Sequence, residues 1–155
     1  MRRKALFIDR DGTINKDCPY CHNISDLVLY EDAIKIMNEY QEKGYIIIII
    51  TNQSGIGRGY FTEKEFHVFN DELLRILKNR GINITRTYFC PHKPDDQCNC
   101  RKPKIGMIEE AISDFEIDLE NSIIIGDRVE IEGIMAKKIG IKYKIFDREN
   151  SGKFI

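Results

Sequence analysis

Phe7-Ile8-Asp9-Arg10-Asp11-Gly12-Thr13-Ile14-Asn15 closes the first apolar run of the chain with two carboxylates one residue apart and a turn at glycine. In an extended chain residues i and i+2 face the same way, roughly 6–7 Å apart, so Asp9 and Asp11 can address opposite sides of one small group. Neither reads as a core residue, because an unpaired buried carboxylate is too costly. Asp and Gly also make ordinary surface turns, but three further polar clusters argue against that here. Thr51-Asn52-Gln53 follows the apolar run Tyr45–Ile50, Gly126-Asp127-Arg128 follows Ser122–Ile125, and Arg101-Lys102-Pro103 follows a Cys/His cluster.

Working outward, short β-branched runs alternate with amphipathic stretches, the sequence sign of βαβ units. Strands are expected at Lys4–Ile8, Tyr45–Ile50, Arg86–Phe89, Ser122–Ile125 and Lys142–Phe146. The second is an unbroken isoleucine run, as a central strand covered on both faces requires. A helix is expected from about Glu31 to Lys43, with Ile34, Met37 and Tyr40 on one face and Gly44 as its stop. A longer one starts at the capping-box sequence Thr62-Glu63-Lys64-Glu65 and ends near Gly81. Two more are expected at Ile105–Phe115 and Ile131–Ile139. The fold class is therefore α/β, a doubly wound, Rossmann-like parallel sheet. No repeat or linker divides the chain, so residues 1–155 form one domain. The polar clusters lie where strands end, and that carboxyl edge is where open parallel sheets bind ligands.

At 155 residues the chain can hold its own core. Its 24 Lys and Arg against 25 Asp and Glu leave a net charge of −1, with no general attraction to nucleic acid or acidic membranes. Met-Arg-Arg-Lys begins like a signal peptide, but Asp9 and Asp11 interrupt the apolar run that would have to follow. The longest apolar stretch is far too short to span a bilayer. A cytoplasmic monomer without nucleic-acid or membrane partners is expected.

An aspartate carboxylate can act as a nucleophile on a phosphoryl group. Asp9 fits that role, with Asp11 as general acid and base, for which its pKa must rise. A phosphate dianion approaches two carboxylates only with positive charge beside them. Asp127 offers a further hard oxygen suited to Mg²⁺, Lys102 an ammonium, and Thr51 a hydroxyl and backbone N–H.

Five cysteines in an intracellular chain point to metal or buried thiols before disulfides. Cys90-x-His92 and Cys98-x-Cys100 place three thiolates and an imidazole within eleven residues, the donor set of a closed, structural Zn²⁺ site. Its loop would deliver Arg101 and Lys102. Cys18-Pro19-Tyr20-Cys21-His22 is a second, weaker sign of metal or redox chemistry, and since Cys-x-x-Cys alone does not specify a site it is read as ordinary loop. Gln53-Ser54-Gly55-Ile56-Gly57-Arg58-Gly59 could cradle an anion on backbone N–H groups, but without the Lys-Ser/Thr ending of a P-loop it does not suggest ATP.

Together these residues resemble the haloacid dehalogenase superfamily of aspartate-nucleophile phosphatases, whose four motifs occur in order from Asp9 to Asp127. Within it the resemblance is to the subfamily of heptose 1,7-bisphosphate and histidinol-phosphate phosphatases. Phe7 to Asn15, Thr51-Asn52-Gln53-Ser54-Gly55-Ile56, the Cys/His set and Cys100-Arg101-Lys102-Pro103 carry it. The resemblance implies a catalytic Mg²⁺ bound by Asp9, Asp127 and the backbone carbonyl of Asp11, a structural Zn²⁺, and no large cap domain. It implies phosphate binding by Thr51 and Lys102, with Asn52 and Gln53 beside them. Arg58 and Arg101 would hold the distal phosphate or the sugar of a heptose bisphosphate.

Two departures stand out. Relatives commonly carry a second Asp a few residues after the position of Asp127, whereas here only Glu130 or Glu132 could substitute, and Glu132 is the candidate Mg²⁺ ligand. The loop between His92 and Cys98 is short for the heptose type and nearer the histidinol type. Two non-hydrolase readings stand against a phosphatase: an aspartate-phosphorylated receiver domain, and a non-catalytic zinc-stabilised binding domain. The Asp9-x-Asp11 spacing and the four-ligand cluster argue against the receiver.

Overall fold

The computed structural model describes residues 2–150, 153 and 154; the remaining positions of the expected 1–155 domain lie outside them. The sheet has six strands in the order β3-β2-β1-β4-β5-β6. They are β1 (Ala5–Ile8), β2 (Ile46–Asn52), β3 (Ile84–Cys90), β4 (Ile123–Gly126), β5 (Lys142–Asp147) and β6 (Lys153–Phe154). The first five are parallel and β6 is antiparallel to β5. Every expected strand is present. The edge strand β6 is an addition, for two residues in a polar tail carry no alternation to read.

Side chains along a strand alternate between faces, and the two cores divide accordingly. Leu6, Ile8, Ile47 and Ile49 pack under α1 (Glu31–Glu42) and α3 (Glu63–Asn79), against Met37, Leu73 and Leu77. Ala5, Phe7, Ile48, Ile50 and Ile124 face the other way, onto Met107, Ile108 and Met135 of α4 (Gly106–Phe115) and α5 (Ile134–Ile139). Ile47, Ile48, Ile49 and Ile50 are all fully buried, each contributing about 1.5–3 kcal/mol over an exposed side chain. This burial on both faces makes β2 central and anchors the strand ends that carry the polar clusters. The capping box of α3 forms as expected, Thr62 Oγ1 accepting from Glu65 N and Glu65 Oε1 accepting from Thr62 N.

Two segments differ from expectation. Ser54–Gly57, in the glycine-rich loop, winds into a single turn, α2. Its Ile56, Gly57 and Arg58 amides donate to Gln53, Pro91 and Ser54 carbonyls, so those donors are not available to cradle an anion. The helix expected from Ile131 is instead preceded by a π-helical turn, Val129–Gly133, and α5 begins at Ile134. Between Asp11 and Thr51 the described chain holds loops, a 3-10 turn and α1, too little for a cap domain. No helix among the described residues is long and apolar enough to cross a membrane.

Candidate active site

Asp9 follows β1 at the centre of the carboxyl edge and is buried. Its Oδ1 accepts from Lys102 Nζ at 2.7 Å and its Oδ2 from Thr13 Oγ1 at 3.2 Å. Thr13 Oγ1 also lies 3.1 Å from Asp127 Oδ1, so one hydroxyl links the ends of β1 and β4. Gly12, with φ of 89°, makes the turn, and a Cβ there would stand 2.5 Å from Asp127 Oδ2. Glycine is required on both counts.

Lys102 is also buried and donates to Glu132 Oε2 and to Ile50 O, each at 3.0 Å. Burial opposes its charge, but Asp9 and Glu132 outweigh it and raise its pKa. The backbone of Lys102 is gripped by Asn52, whose Oδ1 accepts from Lys102 N at 2.9 Å and whose Nδ2 donates to Lys102 O at 3.1 Å. The peptide between Lys102 and Pro103 is cis.

Asp9, Asp127 and Glu132 offer carboxylate oxygens within 4.8 Å of one another. Burial, then Asp9 and Glu132, push the Asp127 carboxyl up to about 8. Burial and Asp9 also raise Glu132, against the pull of Lys102. Glu132 Oε1 is buried and has no hydrogen-bond partner among the described residues. Three carboxylates gathered this closely, one with an orphaned oxygen, form a hard-oxygen donor set that fits a divalent cation of the Mg²⁺ type. Glu130 is exposed and paired with Arg128 at 2.8 Å, so of the two glutamates it is Glu132 that reaches the cluster. The π-turn is what directs it inward, and such turns recur at functional sites. Gly126 makes room, since a Cβ there would collide with Glu132 Oε1.

A cavity of about 170 Å³ opens over this cluster, lined by Asp9, Asp11, Thr51, Asn52, Lys102 and Asp127, with Glu132 and Ile131 beside them. Asp17, Arg101 and Arg128, of which sequence reasoning took only Arg101, complete the lining. Asp17 is raised by desolvation, then by Asp11 and Asp9. Burial, then Arg58 and Arg128, press the Arg101 guanidinium below its ordinary value.

Two expected phosphate contacts sit elsewhere. Gln53 is buried and donates to Asp11 Oδ2 at 3.0 Å and to Thr51 Oγ1 at 2.9 Å, so it orients the site from behind. Arg58 is exposed, bonded to Ser54 Oγ at 3.2 Å and placed 5.9 Å over the Tyr20 ring. It contributes to the field at Arg101 from outside the cavity. The carboxylate of Asp11 lines the cavity but stands apart from the three-carboxylate cluster.

Cys90, His92, Cys98 and Cys100 come together, with all four donor atoms within 4.8 Å. Cys90 Sγ lies 3.4 Å from His92 Nδ1 and 3.8 Å from Cys98 Sγ, and His92 Nδ1 lies 3.3 Å from Cys100 Sγ. The Cys90 and Cys100 sulfurs touch, as do those of Cys18 and Cys21. The contact between Cys18 and Cys21 closes the loop that the sequence marks only as a weak Cys-x-x-Cys motif. His22 stacks on Phe61 at 4.8 Å and binds Tyr20 O at 2.7 Å, so it serves the loop.

Arg10 and Arg148 were missed. Arg148 donates to Gly12 O at 3.0 Å and Thr13 O at 2.6 Å, pinning the turn after Asp11. The readable signal for Arg10 was Asn70, a polar residue on the otherwise apolar face Phe66, Phe69, Leu73 of α3, which lies 3.4 Å from the Arg10 guanidinium.

Residues 5–149 match the family model described as polynucleotide kinase 3 phosphatase. A protein of Thermoplasma acidophilum named "Probable D-glycero-D-manno-heptose-1,7-bisphosphate 7-phosphatase" is 54% identical over 92% of this chain and 89% of its own. A D-glycero-beta-D-manno-heptose-1,7-bisphosphate 7-phosphatase of Haemophilus ducreyi is 41% identical over 100% of this chain and 87% of its own. Among solved structures, the D,D-heptose 1,7-bisphosphate phosphatase of B. bronchiseptica complexed with magnesium and phosphate superposes with a TM-score of 0.82. It is 27% identical, over 90% of this chain and 78% of that one. The chain thus belongs to the haloacid dehalogenase superfamily of phosphatases, in the family that includes the D-glycero-D-manno-heptose 1,7-bisphosphate 7-phosphatases.

Proposed function

We propose that the protein removes one phosphate from a sugar bisphosphate through an aspartyl-phosphate on Asp9, the substrate being D-glycero-D-manno-heptose 1,7-bisphosphate and the bond cleaved that of the C7 phosphate. The observation that carries the reading is Asp9 itself, buried and lining the cavity with one oxygen on Lys102 and the other on Thr13. The cavity of about 170 Å³ equals about six waters of liquid volume, enough for a phosphoryl group.

In the first half-reaction an Asp9 oxygen bonds phosphorus, the bond to the leaving oxygen breaks, and Asp11 gives that oxygen a proton. In the second, water attacks phosphorus, its proton goes to Asp11, and the Asp9 carboxylate departs. Lys102, Thr51 and Asn52 line the space where the transferring oxygens must lie. Mg²⁺, held by Asp9, Asp127, the Asp11 carbonyl and Glu132, would neutralise phosphoryl charge. The partly buried Arg101, flanked by Arg58 and Arg128, concentrates positive charge suited to the distal phosphate.

Zn²⁺ is the ligand that best suits Cys90, His92, Cys98 and Cys100. With Zn–S of about 2.3 Å and Zn–N of about 2.0–2.1 Å, tetrahedral edges match three spacings of 3.3–3.8 Å, and the touching sulfurs of Cys90 and Cys100 would part to a similar edge around the ion. A disulfide between Cys90 and Cys100 would leave His92 and Cys98 without purpose. The zinc would hold the loop that carries Arg101, whose Nη1 donates to His92 O at 3.4 Å. A thiolate site of this kind suits a reducing compartment, the cytoplasm.

The test is phosphate release with Mg²⁺ from both anomers of heptose 1,7-bisphosphate and from histidinol phosphate, with Asp9→Asn as blank. Preference for a heptose anomer is expected. Preference for histidinol phosphate would keep the chemistry and reassign the substrate, and no release from any of them would contradict the reading.

A further inference from the structure

The Arg10 side chain is completely buried, yet nothing in the chemistry above uses it. A buried cation is costly unless its charge is met. Arg10 runs under α3, its guanidinium carbon 5.2 Å from the Phe66 ring centre and 4.7 Å from that of Phe69. Nη1 reaches Asn70 Oδ1 and Nη2 reaches Cys21 O, both at 3.4 Å. Asn70 is tied in turn to Thr87 Oγ1 at 3.1 Å.

Held in this way, the guanidinium presents its fork to Asp11. Nε lies 2.9 Å from Oδ1 and Nη2 lies 3.1 Å from Oδ2. Asn15 Nδ2 adds a second donor to Oδ1 and Gln53 Nε2 a second to Oδ2, each at 3.0 Å. Of the three donors, Arg10 alone grips both oxygens, and a planar fork fixes the plane of a carboxylate as a single amide cannot. Its two rings and Asn70 belong to α3, which is built into the core. The orientation of Asp11 is thereby referred to the rigid body of the protein, although Asp11 itself sits on a turn.

We propose that Arg10 is a positioning residue that aims the Asp11 carboxylate for the second half-reaction, the hydrolysis of the aspartyl-phosphate. This rests on the assignment of Asp9 and Asp11 above. In that step the water oxygen bonds phosphorus, the bond between phosphorus and the Asp9 oxygen breaks with its electron pair returning to Asp9, and the water proton passes to Asp11. A misplacement of about 1 Å in such a group can cost about 100-fold.

An aryl phosphate such as p-nitrophenyl phosphate separates the steps, because nitrophenolate leaves without needing a proton. Rapid-quench kinetics on wild type, Arg10→Met and Arg10→Lys would follow phenolate release and the phosphoenzyme together. For Arg10→Met the expected result is an initial phenolate burst within about threefold of wild type, then a steady state slower by roughly 10- to 100-fold with phosphoenzyme accumulating. Should Arg10→Met not fold, Arg10→Lys, which keeps the charge without the fork, carries the same test with a smaller effect. Equal loss in both phases would mean a merely structural role and would overturn the proposal, as would no loss in either. Asp9→Asn, run alongside, should give neither burst nor phosphoenzyme; a burst or phosphoenzyme from it would contradict the Asp9 assignment, and the present proposal would fall with it.

Discussion

Lys102 Nζ lies 2.7 Å from Asp9 Oδ1, joining residues 93 positions apart at the carboxyl edge of the sheet. The same ammonium holds Glu132 at 3.0 Å, so one buried cation serves two buried carboxylates. Replacing it leaves both without their partner. Lys102→Met should lower kcat by roughly 10²-fold or more and, without Mg²⁺, destabilise the fold by about 3–5 kcal/mol. Steady-state kinetics and denaturant unfolding in a chelator check both; a variant as stable as wild type would show the pair to be incidental.

Asp9→Asn preserves the size of the side chain and removes the nucleophile. Turnover should fall by roughly 10³-fold or more, with near-native circular dichroism. Retained turnover would sink the assignment.

Asp127, raised to about 8 by burial, Asp9 and Glu132, should make cation binding pH-dependent. Without cation the folded protein keeps a proton there that the unfolded chain releases near pH 4. Stability of the metal-free protein should therefore fall as pH rises from about 4 to about 8. Mg²⁺ requires the ionised form, so its affinity should climb over the upper part of that window and its binding should release protons. Calorimetry in buffers of different ionisation enthalpy measures this directly, and an affinity flat from pH 6 to 9 would contradict it.

Glu132→Gln should weaken Mg²⁺ binding by roughly tenfold, while Glu130→Gln should leave it unchanged. If Glu132→Gln binds Mg²⁺ as wild type does, Asp127 and Asp9 hold the ion without it.

Elemental analysis should find about one zinc per chain. Cys98→Ser should lower the thermal midpoint by several degrees while leaving the Mg²⁺ dependence of turnover largely intact. A metal-free protein with Cys90 and Cys100 resistant to thiol reagents would establish a disulfide there.

The sheet was legible because β2 is a run of isoleucines and because each polar cluster ends a strand. Asp9, Thr51, Lys102 and Asp127 could be named from position alone and do share one cavity. Gln53 could not be sorted from its neighbours: Thr51-Asn52-Gln53 reads as one cluster, and only the packing turns Gln53 back onto Asp11. Glu132 and Glu130 are equally plausible in sequence, and the choice is made by a π-turn over residues whose apolar spacing, Ile131, Ile134 and Met135, reads as plain helix. Arg10 was hidden for a different reason. A charged residue between two aspartates looks solvent-facing until α3 is laid over it with Phe66 and Phe69.

The most direct test of the central claim is to trap the covalent intermediate. The protein would be quenched during turnover of heptose 1,7-bisphosphate with Mg²⁺, reduced with borohydride, and digested for mass spectrometry. Conversion of Asp9 to homoserine is the predicted result, since an acyl-phosphate is reduced where a free carboxylate is not. Homoserine at another carboxylate position with Asp9 intact would contradict it.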